Sequence, residues 1–118
     1  VGGILGMNDL GLPYVELGIV VSVAALGVAI AANWKFPMAL GMLLIGCFAI
    51  FHGHAHGTEM PGSKPTLYAC GFLAGAAGLH LAGVFVATII GGFRYGAQFL
   101  RYLGAGIAGI GFHLLYLT

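Results

Sequence analysis

Long apolar runs alternate with short breaks of polar residues, glycine and proline along the whole chain. Four of these runs each predict a helix that crosses a membrane, because a crossing needs about 20 mainly apolar residues. The predicted helices cover residues of about 14–32, 37–57, 66–90 and 96–117. Residues 1–7 are also apolar and are typical of the last turns of a further helix. The pattern therefore predicts an all-α membrane protein, with a bundle of four transmembrane helices plus the tail of a preceding helix, in a single domain covering residues 1–118.

The breaks contain residues that begin or end helices. Pro13 lies just before the first complete helix and Pro37 begins the second, where a residue without an amide hydrogen is tolerated. Residues 60–65, which include Pro61 and Pro65, predict a turn that ends the second helix. These breaks divide the chain into its helices without leaving a long loop.

Composition supports the membrane interpretation. The chain is 60% hydrophobic and only 6% charged, with a mean hydropathy of +1.05, whereas soluble domains carry about 25% charged residues. The net charge of +1 gives no reason to expect a nucleic acid or an acidic substrate as partner. Cys47 and Cys70 stand alone in apolar runs and are expected to be small packing residues. We therefore expect the lipid bilayer to surround the chain.

Glycine is unusually common, with 22 residues in 118. In an apolar chain this abundance predicts close helix–helix packing, since small residues let two backbones approach each other. Two faces are the strongest candidates. One consists of Gly71, Gly75 and Gly78 on the third helix, and the other of Gly104, Ala105, Ala108 and Gly109 on the fourth.

Three of the five histidines lie within residues 51–61. If the second helix continues through this segment, successive residues turn by about 100°. His52, His56 and Glu59 then share one stripe of the helix, while His54 points to the opposite side. Two imidazoles and one carboxylate form a donor set suited to a divalent transition metal. The alternative is a polar helix end at the membrane surface, whose histidines bind headgroups and water.

The few charges predict an orientation. Lys35, Arg94 and Arg101 belong to one side of the membrane, whereas Lys64 is the single base on the other, so the first side is expected to face the cytoplasm. The histidine segment and the C-terminus then lie on the outer or periplasmic side. The further candidate residues of a path or its mouth are Asp9, Glu16, His54, His80 and His113. Of these, His80 is expected near the midplane of the membrane, as a second station on a cation path or as a buried histidine bonded to another helix.

Residues 51–59 (FHGHAHGTE) resemble the second signature of the HupE/UreJ family of nickel-type metal permeases, FHGxAHGxE. Residues 13–23 resemble that family's P-x-VE-x-GI-x-x-SV segment, and residues 79–83 resemble its LH-x-x-G. The likeness covers essentially the whole chain. It implies a six-helix protein of the bacterial inner membrane that is associated with hydrogenase or urease maturation and passes Ni²⁺, with Co²⁺ in some members. It also implies that His52, His56 and Glu59 are functional residues.

One part of the family pattern is missing. The first signature, HP-x-x-G-x-DH, is absent, because no Asp-His pair occurs in the sequence. We expect that the first two helices of the family lie outside this sequence. The alternative is a divergent member that has lost half of its metal site.

Three classes of function follow. The leading one is a permease for Ni²⁺, with Co²⁺ or Zn²⁺ as alternative ions and no organic cofactor. The second is a structural or accessory subunit of a larger membrane complex, or a self-associating protein, whose histidines bind a haem, a chlorophyll-type pigment or nothing. The third is a membrane metalloenzyme. It is the least favoured, because the sequence shows no convincing additional base or nucleophile, and we expect the protein not to be an enzyme.

Overall fold

The computed structural model describes residues 1–60 and 62–118, and every regular element within them is an α-helix. The helices are α1 (Gly2–Met7), α2 (Val15–Ala31), α3 (Met38–Thr58), α4 (Pro65–Gly91) and α5 (Gly96–Leu117). The predicted all-α architecture is confirmed, including the short helix before the four longer ones. The observed ends of α2 to α5 differ from the predicted ranges by at most one residue. Pro61, which was predicted to take part in the turn after α3, lies outside the described residues.

Helix length and composition fit a membrane protein. Among the described residues, α3, α4 and α5 are long and apolar enough to cross a membrane. α2 is equally apolar but has only 17 residues, which is at the lower limit for a crossing. The chain is therefore a multi-pass membrane protein.

The chain divides into two compact units. The first contains Val1–Glu59 together with Arg101–Thr118, and the second contains Met60–Leu100. Residues 51–59, the acidic residues and His113 belong to the first unit, whereas His80 belongs to the second. A single transmembrane domain stays a prediction.

In the first unit, α1 packs closely against α3. A Cβ atom on Gly2 would overlap the backbone of Ile50, and one on Gly6 would overlap the backbone carbonyl of His54. Because the contacts advance along both helices together, α1 and α3 run in the same direction. The two backbones touch only because glycine has no side chain to separate them.

A second seam joins α2 to the part of α5 in the same unit. Gly27 faces the backbone of Ala108, and Gly104 faces Ile30 and the backbone of α2. A Cβ on Gly111 would come 2.6 Å from the Cα of Ala24. Since the residue numbers rise on one helix as they fall on the other, α2 and α5 are antiparallel.

The Nε of Arg101 donates a hydrogen bond to the carbonyl oxygen of Ala31 at 2.8 Å. This bond satisfies one of the free carbonyl groups at the C-terminal end of α2, where a cation also suits the helix dipole. The basic residue is thus held at the end of the bundle to which the link between α2 and α3 belongs.

The glycine faces predicted from the sequence are only partly found. Gly104 and Ala108 of α5 do form a seam, together with Gly111, which was not among the predicted residues. Around Gly71, Gly75 and Gly78 of α4, however, no atom of the described residues lies within 4 Å of an added Cβ. Whether that face of α4 packs against another helix stays a prediction.

Candidate metal site

α3 runs through the histidine segment without a break. It ends at Thr58, and Glu59 follows with φ −84° and ψ 0° in the helical region. The amide of Glu59 still donates to the carbonyl oxygen of Ala55, at 3.3 Å. The helical spacing that the predicted stripe requires is therefore present from His52 to Glu59.

The histidines of this segment lie on two faces of α3. His52, His56 and Glu59 are exposed, whereas His54 is only 6% exposed. This division follows from the helical turn, which places residues four apart on one side and the residue between them on the other. The sequence thus places two imidazoles and a carboxylate on an open surface, and one imidazole in the packed interior.

His56 and Glu59 lie near each other on the open face. The Nδ1 of His56 lies 3.9 Å from the Oε2 of Glu59, and the two side chains are 46% and 73% exposed. Two ligand atoms on one metal ion, each about 2.1 Å from it, would be about 3.0–3.4 Å apart. A small rotation of either side chain, both of which are exposed, would bring the pair to that separation.

In the structure, the side chains of the predicted group of His52, His56 and Glu59 do not converge on one position. Within residues 1–60 and 62–118, no three His, Cys, Asp or Glu side chains lie close enough together to hold a metal ion. His52 lies one helical turn before His56 on the same face, a spacing that brings Cβ atoms within about 6 Å of each other. The backbone therefore supports a three-ligand arrangement that the present rotamers do not form.

The glycines of the motif serve the opposite face. Gly57 is buried, and a Cβ on it would overlap the carbonyl group of Gly3. A Cβ on Gly53 would come 3.1 Å from the backbone nitrogen of Gly3. Gly53 and Gly57 are four residues apart, so both face α1. The motif therefore alternates between exposed histidines and glycines that pack against α1.

His54 joins this inner face to the loop after α1. Its Nε2 lies 2.9 Å from the carbonyl oxygen of Leu10 and 3.3 Å from the backbone nitrogen of Leu12. Its Nδ1 is buried and has no hydrogen-bond partner in the part of the chain that the structure describes. Sequence reasoning correctly placed His54 away from the stripe but did not foresee these contacts, which join residues more than 40 positions apart.

Two acidic residues precede the motif in the chain. Asp9 is exposed and has a left-handed backbone, with φ 52°. Glu16 is exposed in the first turn of α2, where a carboxylate suits the positive end of the helix dipole. Two residues further on, Gly18 contacts the ring of Phe51, the neighbour of His52. The start of α2 thus lies beside the start of the histidine segment.

Glu16 also borders a cleft between α2 and α5. The cleft has a volume of about 430 Å³ and is lined by Glu16, Ile19, Val20, Leu114, Leu117 and Thr118. It shows that the beginning of α2 and the end of α5 lie at the same end of the unit. His113, which precedes Leu114, is exposed at this end.

His80 lies on α4, in the other unit. It is exposed, and its Nδ1 lies 2.7 Å from the carbonyl oxygen of Ala76. Because a carbonyl oxygen can only accept, this contact requires the proton on Nδ1 and leaves the lone pair on Nε2. That tautomer is the one in which a histidine can receive a cation at Nε2 while its other nitrogen is held.

The comparisons with known proteins agree with the motifs. The family described as HupE / UreJ protein matches residues 1–114. Protein HupE of Rhizobium leguminosarum bv. viciae is 39% identical over 115 residues, which are 97% of this chain and 60% of that protein. The chain thus spans about 60% of the length of the curated relative that it matches. No solved structure matches it significantly. On this evidence, the chain belongs to the HupE/UreJ family of membrane proteins.

Proposed function

We propose that this protein functions in the passage of a divalent transition metal, most favourably Ni²⁺, across the bacterial inner membrane. The observation that carries the proposal is the exposed face of α3, where His52 and His56 are one turn apart and Glu59 lies 3.9 Å from His56. Membership of the HupE/UreJ family supports it, since the family resemblance implies nickel-type transport. The metal is the cargo, and the proposal contains no catalytic step.

The donor set suits a transported ion. Two neutral imidazoles and a carboxylate can replace some of the water around a hydrated cation, and Ni²⁺ accepts such mixed nitrogen and oxygen ligands. Zn²⁺ fits the same atoms, and Co²⁺ binds them less tightly than Ni²⁺. The openness of the face also suits transport, because a carrier or channel must release its ion as readily as it binds it.

We place the site at the outer, periplasmic end of α3. The basic residues Lys35, Arg94 and Arg101 would then lie on the cytoplasmic side. Asp9 and Glu16 would raise the local concentration of cations near the site, since acidic groups attract them at a distance. His80 would receive the ion at a later point on its path through its free Nε2, and His113 is a further candidate at the outer end.

Uptake of radioactive nickel by cells expressing single variants tests this function. His52→Ala, His56→Ala and Glu59→Gln should each reduce uptake at low nickel concentration by about tenfold or more, as loss of a metal-site group commonly does. Thr58→Val is the matched control, because the Thr58 hydroxyl donates to the carbonyl oxygen of Ala55 within the same helix. Full uptake by all three site variants, at equal protein levels, would contradict the proposal.

A further inference from the structure

His54 makes the contacts of a residue that holds a loop in place. It is buried, and its Nε2 faces both the carbonyl oxygen of Leu10 at 2.9 Å and the amide of Leu12 at 3.3 Å. These two backbone groups belong to the segment between α1 and α2. A side chain on α3 therefore reaches across to a segment more than 40 residues earlier in the chain.

A single ring nitrogen cannot satisfy both groups at once. With a proton on Nε2, His54 donates to Leu10, and with the proton on Nδ1 it accepts from Leu12. The shorter contact favours donation to Leu10, and either form joins the loop to α3. In both forms the buried Nδ1 lacks a partner among the described residues, which lowers the stability of the folded state. An apolar residue at this position would avoid that cost but could not bind the loop.

The segment that His54 binds carries backbone strain. Asp9 and Tyr14 have φ values of 52° and 60°, in the left-handed region that residues other than glycine rarely adopt. For a bulky residue such as Tyr14 this backbone conformation is unfavourable and persists only where the surroundings hold it. The strained residues lie on either side of Leu10 and Leu12. The hydrogen bond from His54 thus acts at the middle of the strained segment.

We propose that His54 is a positioning residue that fixes residues 9–12 on α3 and thereby sets the place of the Asp9 carboxylate. Asp9 directly precedes Leu10, so the bond to the Leu10 carbonyl restrains the backbone that carries Asp9. The same helix presents His52 and His56 on its other face. His54 therefore keeps the position of Asp9 fixed relative to the face of α3 that carries His52 and His56. The effect on uptake rests on the proposed function, whereas the effect on the loop does not.

The distance between two spin labels measures the loop directly. Labels are attached to Gly11→Cys in the loop and Met42→Cys in α3, in the full chain with Cys47 and Cys70 replaced by alanine. Gly11 has no neighbour within 4 Å of an added Cβ among the described residues, and Met42 is 68% exposed. The chain with His54 intact should give one narrow distance distribution. His54→Ala should broaden it about twofold or more, because the strained loop then samples other conformations.

His54→Gln is the conservative variant, since its amide can donate to a carbonyl and accept from an N–H. It should keep most of the narrow distribution, and so should His113→Ala, which changes an exposed histidine elsewhere in the same unit. If His54→Ala does not fold, His54→Leu fills the volume without a hydrogen bond and takes its place. A narrow distribution in the alanine or leucine variant would overturn the proposal.

Nickel uptake separates positioning from simple loss of folded protein. His54→Ala should raise the KM for nickel by roughly threefold or more at an unchanged Vmax per folded molecule, because the carboxylate that attracts the cation is displaced. Asp9→Asn should raise KM similarly, and the double variant should add little, since both changes act through one group. Additive effects would overturn the link to Asp9. If the unaltered protein takes up no nickel, the proposed function fails while the label distances still decide the role of His54.

Discussion

Gly18 of α2 lies against the aromatic ring of Phe51 on α3. A Cβ atom added to Gly18 would come 2.6 Å from Cγ and Cδ1 of that ring, which is too close for any real contact. Phe51 is the residue just before His52, so this contact fixes the start of the histidine segment against α2. Gly18 and Phe51 also belong to the two segments that resemble family signatures. Their contact gives these apolar positions of the signatures a structural role.

Gly18→Ala should therefore destabilise the protein by about 1–3 kcal/mol, as overpacking of a close contact does. Unfolding of the purified protein in detergent by heat or by denaturant measures the change. Gly46→Ala, in α3 with no neighbour within 4 Å among the described residues, is the control. It should be neutral or stabilising by up to about 1 kcal/mol, because alanine is the better helix former. Equal stability of the two variants would show that Phe51 moves aside freely.

The seam between α2 and α5 predicts that two glycine-to-alanine substitutions on α5 differ in their effect on stability. A Cβ on Gly104 would come 2.6 Å from the backbone nitrogen of Ala31 and from the Ile30 side chain. Gly104→Ala should destabilise the fold by about 1–3 kcal/mol. Gly109→Ala should not, because no neighbour among the described residues lies within 4 Å of its added Cβ. The same unfolding measurement tests both. A larger loss of stability in Gly109→Ala than in Gly104→Ala would mean that another surface packs against Gly109.

We expect substitution of His80 to affect nickel transport but not nickel binding. If the proposed ion path includes His80, His80→Ala should leave nickel binding at the α3 face within a few-fold but abolish transport. His80→Leu should still fold, since the bond from His80 is to a carbonyl within its own helix and its loss leaves no buried donor unpaired. Binding to the purified protein and uptake by cells provide the two measurements. Normal transport by folded His80→Ala would exclude the role on the path, and loss of a bound haem or pigment would favour an accessory subunit.

Orientation can be tested with single cysteines in a chain whose Cys47 and Cys70 are replaced by alanine. We expect Ser63→Cys, in the link between α3 and α4, to react with an impermeant thiol reagent added to intact cells. Phe36→Cys, in the link between α2 and α3, should react only after the cells are opened. The basic residues predict this result because they favour the cytoplasmic side. The reverse pattern of labelling would invert the topology.

Local signals were sufficient to predict the helices. Pro13, Pro37 and Pro65 lie at or just before the starts of α2, α3 and α4, since proline is accommodated at the first turn of a helix. The division of the histidines between two faces also follows from helical geometry alone. Both predictions depend on residues that are close together in the sequence.

Packing was harder to predict because it depends on distant residues. Nothing in the local sequence of α4 distinguishes Gly71, Gly75 and Gly78, which are open among the described residues, from Gly53 and Gly57, which contact α1. The burial of His54 depends on Leu10 and Leu12, which the spacing of the motif does not reveal. The rotamers of His52, His56 and Glu59 are likewise set by their surroundings and not by their order in the chain.

The seam between α2 and α5 has a consequence for how the protein is made. Arg101 and its partner Ala31 are 70 residues apart, and synthesis proceeds at about 5–20 residues per second. Roughly 4–14 seconds of synthesis therefore separate Ala31 of α2 from Arg101, the residue of α5 that binds it. Throughout that interval the surface of α2 around Ala24 and Gly27, which α5 later covers, faces lipid or the insertion machinery. The first unit is thus complete only when α5 arrives, and a ribosome that stalls within α4 would leave this surface of α2 without α5, with only its contact to α3 in place.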